Sequence, residues 1–497
     1  MAGRLSSLSD LPPSVRVPTY DRNAASGIVH LGIGAFHRAH QAVYTDDALA
    51  KAGGDWMITG VSLRSPEVAQ QLNPQHGLYT LLTRGADGVE ARILGSVKEV
   101  IVAPEKPEAL LAALKAAETK IVSLTITEKG YGLDPKTGGL DPDHPSVAGD
   151  LADPRHPRGA IAFIVEALRR RREAGLPGFT VLSCDNLPSN GRVAKRLVTD
   201  FAARTTPDLA EFIARNVSFP STMVDRITPA STTQTFQDVE RLVGCSDQGA
   251  IETEPFTQWI IEDDFAAGRP EWEAGGALFV GDVAPYEKMK LRMLNGSHSM
   301  LAYSGFIAGH RYVRDVMGDP ALSKLVARHM QAASATLDPV PGVDLAHYAD
   351  ELQERFRNPA IAHETYQIAM DGTQKLPQRL LEPASVALER GQTLDAFAFA
   401  VAAWMRYALG RDEAGTLYAL RDPREKEIAS ALGKVGGDAG AIANTLLALP
   451  GLFPAVLAGH RPWTDAIKGK LSLMLQRGMK AAIEEEARGF PPLGYER

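Results

Sequence analysis

Short apolar or β-branched runs at Ile28–Leu31, Trp56–Leu63, Ile121–Thr127 and Phe179–Ser183 alternate with helix-period stretches such as Pro107–Thr119 and Ala160–Ala174. Alternation of this kind predicts a parallel sheet covered by helices. Tyr79–Thr83 and Glu90–Ile93, separated by a Gly- and Asp-containing turn, predict an added hairpin. Beyond residue 285 strand signals thin out and helix patterns dominate, at Ala321–Thr336, Ala346–Arg355, Leu394–Leu409, Pro423–Leu432 and Thr464–Arg488. The expected organisation is therefore an α/β domain over 1–285 and a mostly α-helical domain over 286–497. Gly132–Pro157, crowded with Pro, Gly and Asp, reads as one long loop. Residues 1–26 read as an extended surface arm. The run Arg169–Arg172 reads as a solvated helix end that complements the helix dipole.

The first apolar run leads into Gly32-Ile-Gly34, followed by a helical pattern from about Arg38 to Ala52. A strand, a tight glycine turn and a helix N-terminus form the layout that holds a dinucleotide pyrophosphate. Gly32, Ile33, Gly34, Ala35 and Phe36 are the candidate cofactor contacts on this layout. His37 occupies the place of the usual third glycine, so a plain strand–turn–helix stays open on spacing alone. The second strand of such a fold ordinarily ends in the residue that chooses between NAD and NADP. Here that region reads Gly60-Val-Ser-Leu-Arg-Ser-Pro-Glu67, placing Arg64 where an acidic residue would have indicated NAD.

Lys290-Leu-Arg-Met-Leu-Asn-Gly-Ser-His298 sets a lysine, an asparagine and a histidine among apolar residues. Lysine serves as a proton-transfer base once burial lowers its pKa. An asparagine amide can hold a developing alkoxide, and histidine can orient a hydroxyl. On an α-helix, at ~100° per residue, Lys290, Asn295 and His298 can border one pocket. The plainer alternative is an amphipathic helix with Lys290 and Arg292 in solvent and His298 a satisfied core histidine.

With 497 residues, the chain can form two or three domains with substantial cores. A net charge of −7 argues against a nucleic-acid surface as the main business, while leaving room for a local basic pocket. Two cysteines, Cys184 and Cys245, make no disulfide framework and fit a cytoplasmic setting. No Cys/His spacing suggests a metal site. Met1–Gly27 lacks a continuous apolar segment, and Leu394–Leu409 and Leu446–Ala458 are too short or broken to span a bilayer, so both read as buried helices and no membrane partner is expected.

Six blocks in order carry a resemblance: Gly32 to Gln41, Thr125-Ile-Thr-Glu-Lys-Gly-Tyr131, Ser183-Cys-Asp-Asn-Leu-Pro-Ser-Asn-Gly191, Met223-Val-Asp-Arg226, Lys290 to His298, and Asp371-Gly-Thr-Gln-Lys-Leu-Pro-Gln-Arg379. Together they resemble the polyol-specific long-chain dehydrogenase/reductase family, also called the mannitol dehydrogenase family, and most of all its fructuronate reductase (D-mannonate oxidoreductase) branch. The resemblance implies a Rossmann-type domain and a helical C-terminal domain. It also implies NAD as cofactor, with NADP left open by Arg64, a small sugar acid or polyol as the only partner, and a monomer. It makes Lys290 the general acid/base, Asn186 and Asn295 the oxyanion site, and His298 the holder of a substrate hydroxyl. It adds Thr127 to the cofactor contacts and puts Asp225 and Arg226 at the rim of the site. Lys375 and Arg379 would suit a substrate carboxylate. Simpler readings stand beside these: a turn or N-cap asparagine for Asn186 (which fits Ser189 or Asn190 better), a structural ion pair for Asp225–Arg226, and a solvent-facing loop for 371–379. The implied reaction interconverts D-fructuronate and D-mannonate. Oxidation of a neutral polyol such as mannitol or D-arabinitol is the rival reaction, and a non-catalytic dinucleotide or sugar-acid binder is the rival class.

Overall fold

A computed structural model describes residues 3–9, 11–134 and 136–489. The chain forms two compact units, Met1–Ala284 and Pro285–Arg497.

The strands of the first unit are β1 (Ile28–Leu31), β2 (Ile58–Ser62), β3 (Tyr79–Gly85), β4 (Gly88–Leu94), β5 (Val97–Val102), β6 (Ile121–Leu124), β7 (Thr180–Ser183), β8 (Thr222–Asp225), β9 (Ile251–Thr253), β10 (Gln258–Glu262) and β11 (Leu278–Val280). Five of them make a sheet in the order β5-β2-β1-β6-β7, with every pairing parallel. With the β3–β4 hairpin set aside, this is the doubly wound Rossmann order, whose direction of winding switches between β1 and β6. Both faces of the sheet are covered, so the strands read as continuous apolar runs rather than alternating ones. Val29, Leu31, Val122, Leu124 and Val181 pack on one side, and Ile28, Ile58, Ile121 and Leu182 on the other.

The expected hairpin is present, antiparallel, with Gly85 opposite Gly88 across a two-residue turn, and β9 joins it to make a separate three-stranded sheet. The strands β8, β10 and β11 form another small sheet that periodicity did not reveal. Three further expectations need correction. The 132–157 stretch is not wholly loop, because Pro145–Ala152 is helical, started by His144, whose ring accepts from the Ser146 N–H. The N-terminal arm is strapped down: Leu5 and Val15 are buried with Leu78, Leu82 and Ile93, and the Leu5 N–H donates to the Ser246 carbonyl at 2.9 Å. The arginine run is not a uniform solvated face. Arg171 is 1% exposed, and its guanidinium donates to the carbonyls of Leu114, Ala116 and Pro177, tying off the C-terminal end of the helix Pro107–Lys115.

The second unit is helical. Its centre is the helix Asp395–Tyr407, buried from Ala396 to Tyr407, which packs on Gly296–Ile307 and Arg461–Arg477. A helix apolar on all sides belongs in such a core. The periodic stretch from Thr464 to Arg488 is two helices, broken at Gly478, whose φ of 84° a side chain would resist. No helix among the described residues is long and apolar enough to cross a membrane.

Candidate active site

In the first unit the candidate site is made mainly of backbone. Gly32 sits at φ 98°, and a Cβ there would collide with the main-chain oxygen of Thr125, so the fold itself demands glycine. Gly34 is different. Its φ of −92° suits any residue, and a Cβ would meet no atom nearer than the Gly32 oxygen at 3.8 Å. The missing side chain at Gly34 leaves open space over the turn, which is what close approach of a pyrophosphate to the backbone requires. Ala35 and Phe36 open the helix Ala35–Ala39 directly after it, and Ile33 is buried beneath.

The expected single helix is two, Ala35–Ala39 and Gln41–Ala52, because His40 leaves helical geometry with ψ −94°. His37, in the place of the third glycine, is fully buried and stacks on His30 of β1 with ring centroids 3.4 Å apart. The His30 ring bridges Ser123 Oγ and Thr125 Oγ1, each at 2.8 Å, and Thr125 Oγ1 donates to the Gly32 carbonyl. The turn is thus held from below by buried imidazoles. Burial pushes His30 down to about 3 and His37 well below the usual histidine value, so both are neutral.

Arg64 is exposed two positions past the end of β2. Thr127 is exposed in the loop after β6 and adopts φ 62°, ψ 160°, a region almost reserved for glycine. Asn186 is exposed three positions past β7, at the carboxyl end of the sheet. The helix beyond it begins at Asn190 with Ser189 at the N-cap position, where no side chain makes a capping hydrogen bond, so Asn186 is not the cap. Asp225 is buried at the end of β8. Arg226 is buried as well, and its guanidinium donates to the main-chain carbonyls of Ala39 and Glu254. Arg226 therefore braces the end of the glycine-turn helix.

In the second unit the candidate residues lie on or beside two π-helical turns, Lys290–Asn295 and Pro377–Leu381. On an α-helix Lys290 and Asn295 would point ~140° apart. A π-turn closes i→i+5 hydrogen bonds, here Gly296 N–H to the Leu291 carbonyl, and brings residues five apart to one side. The amphipathic alternative fails, because Lys290 and Arg292 are 9% and 5% exposed. Arg292 donates to the Thr336 carbonyl and pairs with Glu382 at 2.9 Å, which anchors the first turn to its neighbours. The two turns meet: Arg379 Nη1 donates to the Asn295 carbonyl and to Ser299 Oγ, and a Cβ at Gly296 would press on the Arg379 carbonyl at 2.9 Å.

His298 lies one turn further, buried, stacked on Phe356 at 4.4 Å, with His363 edge-on at 5.3 Å. Its Nε2 has no hydrogen-bond partner, so it is not a satisfied core histidine. Burial first, then His363, Arg379, Arg355 and Lys290, hold the His298 imidazole well below its ordinary value. Lys375 Nζ donates to the carbonyls of Ile368 and Met370 and is pushed down to about 8 by burial and by Arg379. The segment 371–379 is helical rather than a loop, entered through Asp371 at φ 58°. His363 and Arg355 escaped the sequence reading because neither sits in a motif. Asp185, which grips the Thr127 loop, stood unremarked inside the Ser183–Gly191 block. Among the described residues no group of three His, Cys, Asp or Glu is placed to hold a metal ion.

A Rossmann sheet with an open glycine turn, in a chain that carries the sequence of a secondary-alcohol dehydrogenase family through both units, makes this an NAD-dependent secondary-alcohol dehydrogenase. The mannitol dehydrogenase Rossmann domain matches residues 26–274 and the mannitol dehydrogenase C-terminal domain matches residues 282–451. The chain belongs to the mannitol dehydrogenase family. It is 45% identical to the D-mannonate oxidoreductase of Escherichia coli K12 over 483 residues, 96% of this chain and 98% of that one. It is 38% identical to a mannitol 2-dehydrogenase of Pyrenophora tritici-repentis over 483 residues, 95% of this chain and 84% of that one. The fold matches Pseudomonas fluorescens mannitol 2-dehydrogenase, solved as a ternary complex with NAD and D-mannitol, with TM-score 0.84 and 37% identity, covering 98% of this chain and all of that one.

Proposed function

We propose that this protein interconverts D-fructuronate and D-mannonate, with Lys290 as general acid/base. NAD accepts the hydride from the carbinol carbon in oxidation, and NADH returns it in reduction. Gly32 to Phe36 hold the pyrophosphate, Arg64 lies toward the ribose that distinguishes NAD from NADP, and Thr127 contacts the cofactor. Lys290 takes the hydroxyl proton in oxidation and gives it back in reduction. The amides of Asn186 and Asn295 donate to the oxygen as charge builds on it. His298, neutral and with Nε2 unpartnered, is suited to hold a neighbouring substrate hydroxyl.

The observation that carries the choice of a sugar acid is the crowding of Lys290, Arg355, Lys375 and Arg379 around two imidazoles. His298 is held down by Arg379, Arg355 and Lys290, and His363 is pushed to about 4 by burial and by Lys375. This occurs in a chain whose net charge is −7. A bound carboxylate relieves that repulsion. Lys375 uses two of its three N–H donors on main-chain carbonyls, leaving one for a ligand. The likeness to D-mannonate oxidoreductase supports the same reading. The likeness to mannitol 2-dehydrogenases supports the rival neutral polyol. In this reading Asp225 stands at the rim of the site, and Arg226, its guanidinium spent on the Ala39 and Glu254 carbonyls, supports the glycine-turn helix rather than touching substrate.

The deciding experiment follows NADH absorbance with D-fructuronate and with D-fructose. A charge-assisted contact of about 1.5–3 kcal/mol predicts a kcat/KM advantage of roughly 10- to 150-fold for the uronate. Preference for fructose, or for mannitol in the oxidative direction, replaces the substrate and leaves the hydride-transfer chemistry standing.

A further inference from the structure

Thr127 is a puzzle in the bare chain. It is β-branched, its side chain is exposed, and it nevertheless occupies φ 62°, ψ 160°. No packing of its own side chain holds it there, so the restraint must come from the main chain. That restraint is Asp185. Its carboxylate is 8% exposed and accepts from the Thr127 N–H at 2.8 Å, the Ile126 N–H at 3.0 Å and the Tyr131 hydroxyl at 2.8 Å. The Tyr131 oxygen also lies 2.6 Å from Ser183 Oγ at the end of β7. Asp185 is itself fixed, since its carbonyl accepts from Asn190 Nδ2 at 2.9 Å, and the same Asn190 amide receives the Thr222 N–H at 2.9 Å. One buried carboxylate therefore ties the loop after β6 to the loop after β7, beside the switch point of the sheet, where open α/β folds bind ligands.

We propose that Asp185 is a positioning residue of the hydride-transfer site: it clamps the Ile126–Thr127 peptide in a conformation threonine otherwise avoids, and so presents Thr127 to the cofactor while fixing its own neighbour Asn186 for the substrate oxygen. This rests on the roles proposed above for Thr127 and Asn186. An amide cannot replace the carboxylate, because one of its two ends is an NH2 that would face a main-chain N–H. Asp185→Asn releases the loop.

The test is a cycle of Asp185→Asn and Thr127→Gly, read by melting temperature and by NADH titration of the purified full-length protein. Glycine accepts the strained conformation freely, so with Asp185 present Thr127→Gly raises the melting temperature by about 2–4 °C. With Asp185→Asn the loop has already relaxed, and that gain disappears. NADH Kd rises roughly 10-fold in Asp185→Asn, the size of one charge-assisted hydrogen bond, with kcat on saturating cofactor falling as Asn186 loses its place. An equal Thr127→Gly gain with and without Asp185 overturns the clamp, whatever Thr127 touches. A vanished gain with unchanged NADH Kd also overturns the proposal, through the assignment of Thr127. Should Asp185→Asn not fold, Tyr131→Phe removes a single donor from the carboxylate and raises NADH Kd by about 2- to 3-fold; an unchanged Kd there counts against the clamp.

Discussion

In the proposed function the two units build their parts of the chemistry in opposite ways. In the first, the backbone is the working surface and the side chains serve it: Gly34 offers open peptide, Thr127 is bent into an uncommon conformation, and His30 and Arg226 hold the turn from below. In the second, the side chains work and the backbone yields, with two π-turns that depart from α geometry and meet where Arg379 donates to the Asn295 carbonyl. The first design suits a large cofactor with a phosphate to cradle. The second suits a small substrate that must be recognised by charge and hydroxyl position. Damage to one should thus be separable from damage to the other.

The largest expected effect is at the base. Lys290→Ala should lower kcat by about 100-fold or more, with NADH Kd moving little, as steady-state kinetics and a fluorescence titration would reveal. Parallel loss of NADH affinity would blur the division. Gly34→Val should do the reverse, filling the open space over the turn and raising NADH Kd by about 10-fold, while kcat at saturating cofactor stays near wild type. Unchanged NADH binding would remove the pyrophosphate from that turn.

Acid should strike the first design through its supports. His30 is neutral when folded, with its pKa at about 3 against an ordinary 6.5. The unfolded chain binds that proton first, so the contribution of His30 is fully present above pH 6.5 and drains away as pH falls toward 3, at up to ~1.4 kcal/mol per pH unit. Denaturant melts of wild type and His30→Gln between pH 7 and 4 should converge as the pH drops. Parallel curves would mean the imidazole is not the acid-sensitive group. A smaller effect belongs to the second design. Lys375, at about 8, loses its charge as pH rises, so the kcat/KM ratio of D-fructuronate to D-fructose should fall by several-fold from pH 7 to 9. A flat ratio would remove Lys375 from carboxylate binding.

Much of the fold was legible because it rests on local signals. Ile28–Leu31 was placed to the residue, and Ala160–Ala174 to within one. Glycine spacing marked the turn after β1 because Gly32 stands at a backbone position that a side chain would resist, while Gly34 leaves the turn open. The Lys290–His298 stretch offered candidate residues by type, yet not its geometry, since a π-turn adds one residue per turn without changing which residues are apolar. The strains and braces stayed hidden for a different reason. Thr127 is held by Asp185 in another loop, Arg171 by carbonyls from Leu114 and Ala116, and the arm by Ser246, so each depends on a partner far away in sequence. The short strands β8 to β11 likewise exist through pairing rather than through any pattern of their own.

The central claim is that the second unit reads a negative charge independently of how the first holds its cofactor. Lys375→Met tests it most directly when kcat/KM for D-fructuronate, kcat/KM for D-fructose and NADH Kd are measured on the same preparation. The account predicts roughly a 10-fold or greater loss on the uronate, a far smaller loss on the ketose and an unchanged NADH Kd. Equal losses on both substrates, or a shift in NADH Kd of the same size, would contradict it.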